Sequence, residues 1–398
     1  MRLAERVTRI QPSATLAINA KAKALKARGV HIVNFGVGEP DFDTPDYIRE
    51  AAIQAIRDGH TRYTAVGGID ELKDAVRGVI RDDYGLVYQR DEVLVSCGGK
   101  HALYNLFQAL LDPGDEVIIP SPFWVSYPDM VVLTGARPVI VPCSEETGFK
   151  LRAQDLEAAI TDRTRMLILN SPSNPTGAHY APSELAALAE VLIRRENVLV
   201  VSDDIYYRIL FGGLEWANIV MVEPRLKERT FILNGVSKTY CMTGWRIGYL
   251  LGDAAAIKAA TKIQSQSTSN PSSIAQYASV AALRERTGVV REMVKVFEER
   301  CRYVMDRLAG MEGVTCPKPA GAFYVFPNFS HYYGRRAGER TIDTSLDLAD
   351  YLMESAHVAV VPGGAFGEDR CLRFSYALSM DDLGEGFDRL SRALQALE

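Results

Sequence analysis

Lys238 and Arg246 are the two residues whose types and spacing first suggest chemistry. They stand eight positions apart in NGVSKTYCMTGWRIGY (234–249), between two apolar runs that predict buried strands, TFIL (230–233) and IGYLLG (247–252). A lysine amine can bind an aldehyde covalently, and a guanidinium can hold a phosphate through parallel hydrogen bonds. Most lysines simply reach solvent, so a chemical role for Lys238 requires partners elsewhere in the chain.

Candidate partners follow the ends of the other predicted strands. Gly98, Gly99 and Lys100 come shortly after VLVS (93–96), and Trp124 comes shortly after EVIIP (116–120). Asn174 comes shortly after RMLILN (165–170). Asp203 directly follows VLVVS (198–202), and Tyr206 comes three residues later. In open parallel sheets, ligands bind outside the carboxyl ends of the strands. These side chains are therefore expected to meet around one ligand.

The combined set of groups fits pyridoxal phosphate. This cofactor needs a lysine amine, a carboxylate such as Asp203 beside its ring nitrogen, and a cradle for its phosphate. Gly98 and Gly99 at a helix N-terminus supply backbone N–H groups for the phosphate, and Trp124 supplies an aromatic face for the ring. Each signal is weak alone: Asp203 also suits a helix cap, and a tryptophan is more often part of a core. The combination and its order carry the prediction.

The composition favours a globular protein and argues against several other classes. The 398 residues are 47% hydrophobic and 24% charged, and the net charge of −5 without a basic run argues against nucleic-acid binding. No signal-like segment is found at the start, and no apolar run reaches the roughly 18 residues of a membrane helix. Six scattered cysteines without CxxC spacing predict no disulfide framework or zinc site, and hence a cytoplasmic setting.

The elements that must position these groups predict an α/β fold. Apolar Val/Ile/Leu runs without alternation indicate strands buried on both faces, and helical patterns separate them, which is typical of a mostly parallel sheet covered by helices. After about residue 286 the pattern changes to that of a smaller α+β unit. The clearest predicted helices span 44–57, with Thr44 as N-cap and Pro45 at the first helical position, 69–82, 99–111, 182–195 and 289–309.

Five motifs resemble those of the class I, fold-type I aminotransferases, specifically the aspartate aminotransferase family. They are GEPDFDTP (38–45), NSPSNPTG (170–177), SDDIY (202–206), SKTYCMTGWRIGY (237–249) and LRFSYA (372–377). The resemblance covers essentially the whole chain. It implies a large pyridoxal-phosphate-binding domain at 46–286, with a mostly parallel seven-stranded sheet, and a smaller α+β domain made of 1–45 and 287–398.

The resemblance also implies a role for each residue of the site. Lys238 would bind the cofactor covalently and move the substrate proton, and Asp203 would pair with the ring nitrogen. Asn174 and Tyr206 would hydrogen-bond the phenolic oxygen of the cofactor. The phosphate would be held by Gly98, Gly99, Ser237, Arg246 and Tyr63, although an upstream serine used by some relatives is replaced by Gly235. The substrate would meet Gly38, Trp124, Asn174 and Arg373, the last binding its α-carboxylate.

Lys100 and Thr15 point to one branch of that family. In this branch, a lysine after the phosphate-binding glycines and a threonine of the N-terminal segment bind the side-chain carboxylate of aspartate, and some members also aminate prephenate. The expected reaction is a ping-pong amino transfer between aspartate or glutamate and 2-oxo acids. The expected assembly is a homodimer with shared sites, Tyr63 of one chain reaching the phosphate bound by the other.

Several other activities stay open on the sequence. A lyase of the same fold would share Lys238, Asp203 and Arg373, and an aromatic or broad-specificity aminotransferase would share the whole cofactor site. A nicotinamide dehydrogenase suits the α/β pattern, but FGVGEP (35–40) lacks the third glycine of the dinucleotide fingerprint. A transcription regulator with this domain would need an appended DNA-binding segment, for which the first motif leaves too little preceding chain.

Overall fold

A computed structural model describes residues 2–12, 14–284 and 288–398. The α-helices of these residues are α1 Glu5–Thr8, α2 Ala14–Ala27, α3 Asp46–Arg57, α4 Asp70–Tyr84, α5 Gly99–Leu110, α6 Ser126–Val132, α7 Ala153–Ala159, α8 Pro182–Ile193, α9 Ile219–Val222, α10 Ala254–Ser265, α11 Ser273–Arg284, α12 Val289–Ala309, α13 Ser345–Tyr351 and α14 Met380–Gln395. No helix in this part of the chain is long and apolar enough to span a membrane.

The strands are short and fall into one large sheet and several small ones. They are β1 Val33–Asn34, β2 Val93–Ser96, β3 Glu116–Ser121, β4 Arg137–Pro142, β5 Thr164–Asn170, β6 Leu199–Asp203, β7 Thr230–Gly235, β8 Gly248–Leu251, β9 Tyr324–Val325, β10 Arg336–Ala337, β11 Arg340–Thr341, β12 Val358–Ala359, β13 Val361–Pro362 and β14 Leu372–Ser375. Within the described ranges, the large sheet has seven strands in the order β2-β8-β7-β6-β5-β3-β4.

The large sheet is parallel except at β8, which runs antiparallel to both of its neighbours. Helices cover both of its faces: Ile168 of β5 packs in the same cluster as Leu103 of α5, whereas Leu167 and Leu169 pack with Leu188 of α8. Burial on both faces explains why the strands read as continuous apolar runs. The predicted fold class is confirmed, with a mostly parallel seven-stranded sheet at its centre.

A second core forms around the C-terminal elements and the segment before α3. Strand β1 pairs in parallel with β12, and β13, β14 and β9 form a three-stranded sheet. Val33 and Phe35 share a buried cluster with Phe297 of α12 and Phe387 of α14. The residue boundaries of the two domains stay a prediction, and residues 286 and 287 lie outside the described ranges.

The predicted cap of α3 is wrong. The helix begins at Asp46, Pro45 is the N-cap residue, and no side chain caps the first turn. The hydroxyl of Thr44 instead donates to the carbonyl of Cys241 at 2.6 Å and accepts from the indole N–H of Trp245 at 3.0 Å. These two hydrogen bonds use the Thr44 hydroxyl, so it does not cap α3. Thr44 instead connects the segment before α3 to the loop that carries Lys238.

Candidate active site

A cavity of about 450 Å³ opens at the carboxyl edge of the large sheet, beneath α2. The predicted residues that line it are Thr15, Gly38, Gly99, Lys100, Trp124, Asn174, Asp203, Tyr206, Ser237, Lys238, Arg246 and Arg373. Gly98 lies at its edge, against Arg246. Tyr63 is not part of the wall, since its side chain is 92% exposed. The structure thus brings together residues that are up to 358 positions apart in the chain.

Lys238 projects into the cavity from the loop that follows β7. Its Nζ donates a hydrogen bond to the carbonyl of Gly38 at 2.5 Å. Burial lowers the pKa of Lys238 to about 8, and the nearby Arg373 and Arg246 act in the same direction, against Glu39 and Asp203. An amine with such a pKa is partly neutral near neutral pH, which suits both attack on an aldehyde and proton transfer.

Asp203 is the last residue of β6 and lies almost completely buried at the floor of the cavity. Its Oδ2 accepts from the hydroxyl of Tyr127 at 2.6 Å, and its Oδ1 accepts from the backbone N–H of Ile205 at 3.3 Å. Burial raises the pKa of Asp203 to about 6, while the Tyr127 hydrogen bond and the charge of Lys238 oppose the rise. A cationic group placed beside this carboxylate would lower that pKa and keep the carboxylate ionised.

Tyr127 is a site residue that the sequence reasoning missed. It follows Trp124 by three residues, and the edge of one ring meets the face of the other, with centroids 5.2 Å apart and an interplanar angle of 83°. Tyr127 therefore links the predicted ring-stacking residue to the predicted carboxylate. The available signal was the three-residue spacing of two aromatic residues in FWVSY (123–127), one just before α6 and one inside it.

The N-terminus of α5 and the Arg246 guanidinium form a cradle for an anion. Gly98, the N-cap residue, has φ +87°, and a Cβ atom there would overlap the guanidinium of Arg246. Glycine therefore permits both the left-handed backbone and the close approach of the arginine. The free N–H groups at the start of a helix and a guanidinium are both donors that phosphate prefers.

Arg373 lies on β14 and lines the cavity, with 2% of its surface exposed. Its Nη1 donates to Oδ1 of Asn174 at 3.0 Å and its Nη2 donates to the carbonyl of Gly36 at 2.9 Å. Among the described residues its Nε has no hydrogen-bond acceptor. A buried cationic donor without a partner is costly, so this part of the cavity is suited to an anionic ligand such as a carboxylate.

Lys100 lies in the first turn of α5, and its Nζ is 4.9 Å from the centre of the Trp124 ring. Partial burial and the charge of Arg246 lower the pKa of Lys100. A cation in the first turn of a helix opposes the helix dipole, and the aromatic face compensates in part. Thr15 of α2 also lines this cavity, so the two residues predicted to select an acidic side chain face the same space.

The donors and acceptors of the cavity fit pyridoxal phosphate. The amine of Lys238, the carboxylate of Asp203 and the ring of Trp124 line one continuous space with the cradle formed by Arg246 and the N-terminus of α5. The space that a Cβ of Gly98 would fill is taken by the arginine of that cradle. These contacts support the cofactor expected from the sequence, and the separate role of each residue stays a prediction.

The chain is similar to aminotransferases over its full length. The family described as aminotransferase class I and II matches residues 30–390. An aspartate aminotransferase from Geobacillus stearothermophilus is 49% identical, covering 100% of each chain. An aspartate/prephenate aminotransferase from Nitrosomonas europaea is 48% identical, covering 99% of this chain and 100% of its own.

Solved structures give the same relationship. The aspartate aminotransferase from Rhizobium meliloti superposes with a TM-score of 0.97 at 45% identity, covering 100% of both chains. The aspartate aminotransferase from Thermus thermophilus with maleate superposes with a TM-score of 0.93 at 41% identity, covering 99% of this chain and 100% of its own.

Proposed function

Because the chain belongs to the class I and II aminotransferase family, we propose that it transfers the amino group of aspartate or glutamate to 2-oxo acids. The proposed reaction is a ping-pong exchange that depends on pyridoxal phosphate, as in the family. The observation that carries the choice of acidic substrates is that two cations, Arg373 and Lys100, line the same cavity as Lys238. A substrate with two carboxylates can pair with both cations.

Each residue of the site has a separate role in the proposed reaction. Bound pyridoxal phosphate supplies an aldehyde that accepts the amino group and a protonated ring that withdraws electrons from the α-carbon. Arg246 and the N-terminus of α5 bind the phosphate, and Asp203 holds the proton on the ring nitrogen. Lys238 takes the α-proton as a general base and returns it as a general acid. Asn174 and Tyr206 orient the cofactor through its phenolic oxygen.

The orientation of the substrate follows from Arg373. Its Nη atoms are held by Asn174 and the carbonyl of Gly36, so the guanidinium plane is set before the α-carboxylate arrives. Such pre-orientation would fix the position of the substrate relative to Lys238, which lines the same cavity, and correct placement accounts for a large part of the rate in many enzymes. Trp124 and Gly38 complete the wall on which the substrate would lie.

Prephenate is a second candidate acceptor. It is supported by relatives named as aspartate/prephenate aminotransferases, such as the one from Nitrosomonas europaea at 48% identity. Prephenate is itself a 2-oxo acid and carries a second carboxylate, which Lys100 could bind in the same way as the side chain of aspartate. Acceptance of prephenate alongside 2-oxoglutarate would place the chain with these relatives.

The function is tested by turnover of the purified enzyme loaded with pyridoxal phosphate. Aspartate and 2-oxoglutarate should yield oxaloacetate and glutamate, and prephenate should be tried as acceptor with either amino donor. Single-turnover spectra with a panel of amino acids would rank the donors. Release of ammonia or a thiol without a need for a 2-oxo acid would contradict the proposal and identify a lyase.

Lys100→Ala should selectively weaken the use of acidic substrates. A hydrogen bond to a charged group contributes about 1.5–3 kcal/mol, so kcat/KM for aspartate and glutamate should fall roughly ten- to a hundredfold. The value for alanine should change far less. Lys73→Ala is the matched control, because burial also lowers the pKa of Lys73 but its amine bonds the carbonyl of Arg90 outside the cavity. An equal loss for acidic and neutral donors would assign Lys100 to the cofactor instead.

We also propose that the enzyme is a homodimer with shared sites. The large apolar side chains of Val7, Ile53 and Ile56 are exposed in the single chain, and so is Tyr63, whose exposure is 92%. Burial of such residues against a second copy would remove apolar surface from water. It would also bring the Tyr63 hydroxyl of one chain to the phosphate held by the other.

A mixture of Tyr63→Phe and Lys238→Ala chains should recover activity. In a mixed dimer, one site lacks both groups and the other site has both, so turnover should exceed the sum of the two parent proteins after subunit exchange. Native mass spectrometry would measure how many mixed dimers form. If mixed dimers form without a gain in turnover, Tyr63 does not act across the subunit boundary.

We place this activity in the cytoplasm. All six cysteines lie in the described ranges and are free thiols, which suits a reducing compartment. Fractionation of the source cells with an antibody to the protein would test the location, and recovery from an oxidising compartment would count against it.

A further inference from the structure

Tyr324 contacts two functional groups of the cavity at once, through different parts of its side chain. It begins β9, is fully buried and lines the cavity. Its hydroxyl lies 2.9 Å from the hydroxyl of Tyr206. Its ring lies 4.7 Å from the guanidinium carbon of Arg373. In the sequence, Tyr324 lies in the largely apolar run GAFYVFP (321–327), which by itself indicates no chemical role.

Gly38 adds a third contact. A Cβ atom on this glycine would lie 3.2 Å from the Tyr324 hydroxyl and 3.9 Å from Nη2 of Arg373. The backbone that accepts the hydrogen bond of Lys238 therefore lies directly against Tyr324. Tyr324 thus contacts both Tyr206, which is predicted to bind the phenolic oxygen of the cofactor, and Arg373, which is predicted to bind the carboxylate of the substrate.

We propose that Tyr324 is a positioning residue with two separable actions, its hydroxyl orienting Tyr206 and its ring orienting Arg373. This inference rests on the proposed function, because Tyr206 and Arg373 serve the cofactor and the substrate in that reaction.

The hydroxyl action follows from the limited partners of Tyr206. Tyr206 is 3% exposed, and Tyr324 supplies the one hydrogen bond of its hydroxyl found among the described residues. A phenol hydroxyl has one proton to donate and lone pairs to accept. When Tyr324 donates to Tyr206, the proton of Tyr206 is left to point into the cavity, towards the position of a ligand oxygen.

The ring action follows from the surroundings of Arg373. The guanidinium contacts two aromatic rings, with its central carbon 4.7 Å from the centre of the Tyr324 ring and 5.1 Å from the centre of the Phe366 ring. These rings exclude water from the cation and restrict its tilt, while Asn174 and Gly36 hold its two Nη atoms. A planar cation confined in this way keeps one orientation in the wall of the cavity.

Two substitutions separate the actions. Tyr324→Phe keeps the ring over Arg373 and removes the hydroxyl, so kcat should fall about two- to tenfold, the value of a neutral hydrogen bond. The pH titration of the bound cofactor's absorbance should shift as well. Succinate, a dicarboxylate without an amino group, probes the carboxylate site. Its Kd, measured by calorimetry on the loaded enzyme, should stay within twofold of the parent value. Tyr324→Leu removes the ring too, and its Kd for succinate should rise by about tenfold or more, since cation–π contacts are strongest where the cation is desolvated.

Tyr376→Phe is the matched control. Tyr376 is also a fully buried tyrosine of the second core, but its hydroxyl faces the carbonyl of Ala322 at 3.4 Å and it does not line the cavity. This variant should change thermal stability alone and leave kcat, the titration and succinate binding as they are. Thermal unfolding of all variants shows which of them fold, and the Phe variant tests the hydroxyl action even where the Leu variant does not fold.

Three outcomes would overturn the inference. The first is a Phe variant with kinetics and titration equal to those of the parent enzyme, and the second is a Phe variant that binds succinate as weakly as the Leu variant. The third is a Leu variant that binds succinate as the parent does. Failure of the parent enzyme to transaminate or to bind succinate would instead overturn the proposed function, so the two failures are distinguishable.

Discussion

Lys238→Ala should lower the rate of transamination by about 10⁴- to 10⁶-fold. The change removes the amine that we propose binds the cofactor aldehyde and moves the substrate proton. Among the described lining residues the other lysine is Lys100, whose amine lies over the Trp124 ring. The visible absorbance of the covalently attached cofactor should be lost with the activity. Steady-state turnover and the absorbance spectrum of the purified variant measure the two effects.

Borohydride reduction and peptide mapping provide the stricter check on Lys238. In the parent enzyme, the reduced cofactor should be found on the peptide that contains Lys238. Lys295→Ala is a suitable control, because Lys295 is exposed on α12 and pairs only with Glu292 in the described structure. A Lys238→Ala variant that still carries a reducible cofactor on another lysine would refute the assignment.

Asp203→Asn should be the next most damaging change. It preserves the shape of the side chain but removes the negative charge that would keep the ring nitrogen of the cofactor protonated. Loss of a well-placed electrostatic or acid–base group typically slows a reaction by about 10²–10⁴-fold. Stopped-flow measurement of α-proton transfer, with deuterated and ordinary aspartate, would report the step in which this charge acts.

Asp204→Asn is the matched control for that experiment. Asp204 is the next residue and is equally buried, but it accepts hydrogen bonds from Ser202 at 2.7 Å and Asn218 at 3.2 Å and does not line the cavity. Burial raises the pKa of Asp204 to about 8, so this carboxyl is largely neutral at pH 7 and an amide changes its charge little. If Asp203→Asn transfers the proton within a few-fold of the parent rate, then Asp203 has only a structural role.

The charge of the cavity differs from that of the whole chain. The lining residues include four cations, Lys100, Lys238, Arg246 and Arg373, and two carboxylates, Glu39 and Asp203, although the net charge of the chain is −5. An excess of cations in a concave site focuses its field on anionic ligands. This arrangement suits a phosphorylated cofactor and a substrate with two carboxylates, and it predicts weaker binding of both at high ionic strength.

Much of the fold could be predicted because the strands of a parallel sheet, buried on both faces, appear in the sequence as continuous apolar runs. Helix α12 occupies the predicted range, 289–309, and β2, β3, β5, β6 and β8 fall within their predicted apolar runs or extend them by one residue, whereas β7 extends its run by two. The start of α3 could not be predicted, because the hydroxyl of Thr44 has the same local signal whether it caps a helix or bonds Cys241, 197 positions away. Local patterns do not report such tertiary partners.

The sequence by itself determined the α/β architecture and the edge of the sheet at which Lys238, Asp203 and Asn174 meet. Strands buried on both faces must be apolar throughout, so polar residues at their carboxyl ends stand out. Only the tertiary structure decided what surrounds those residues. Tyr127 reaches Asp203 across 76 positions and Tyr324 reaches Tyr206 across 118, and in sequence both are aromatic residues that suit any core. A buried tyrosine acquires a chemical role only through the partner of its hydroxyl, and the packing of distant segments selects that partner.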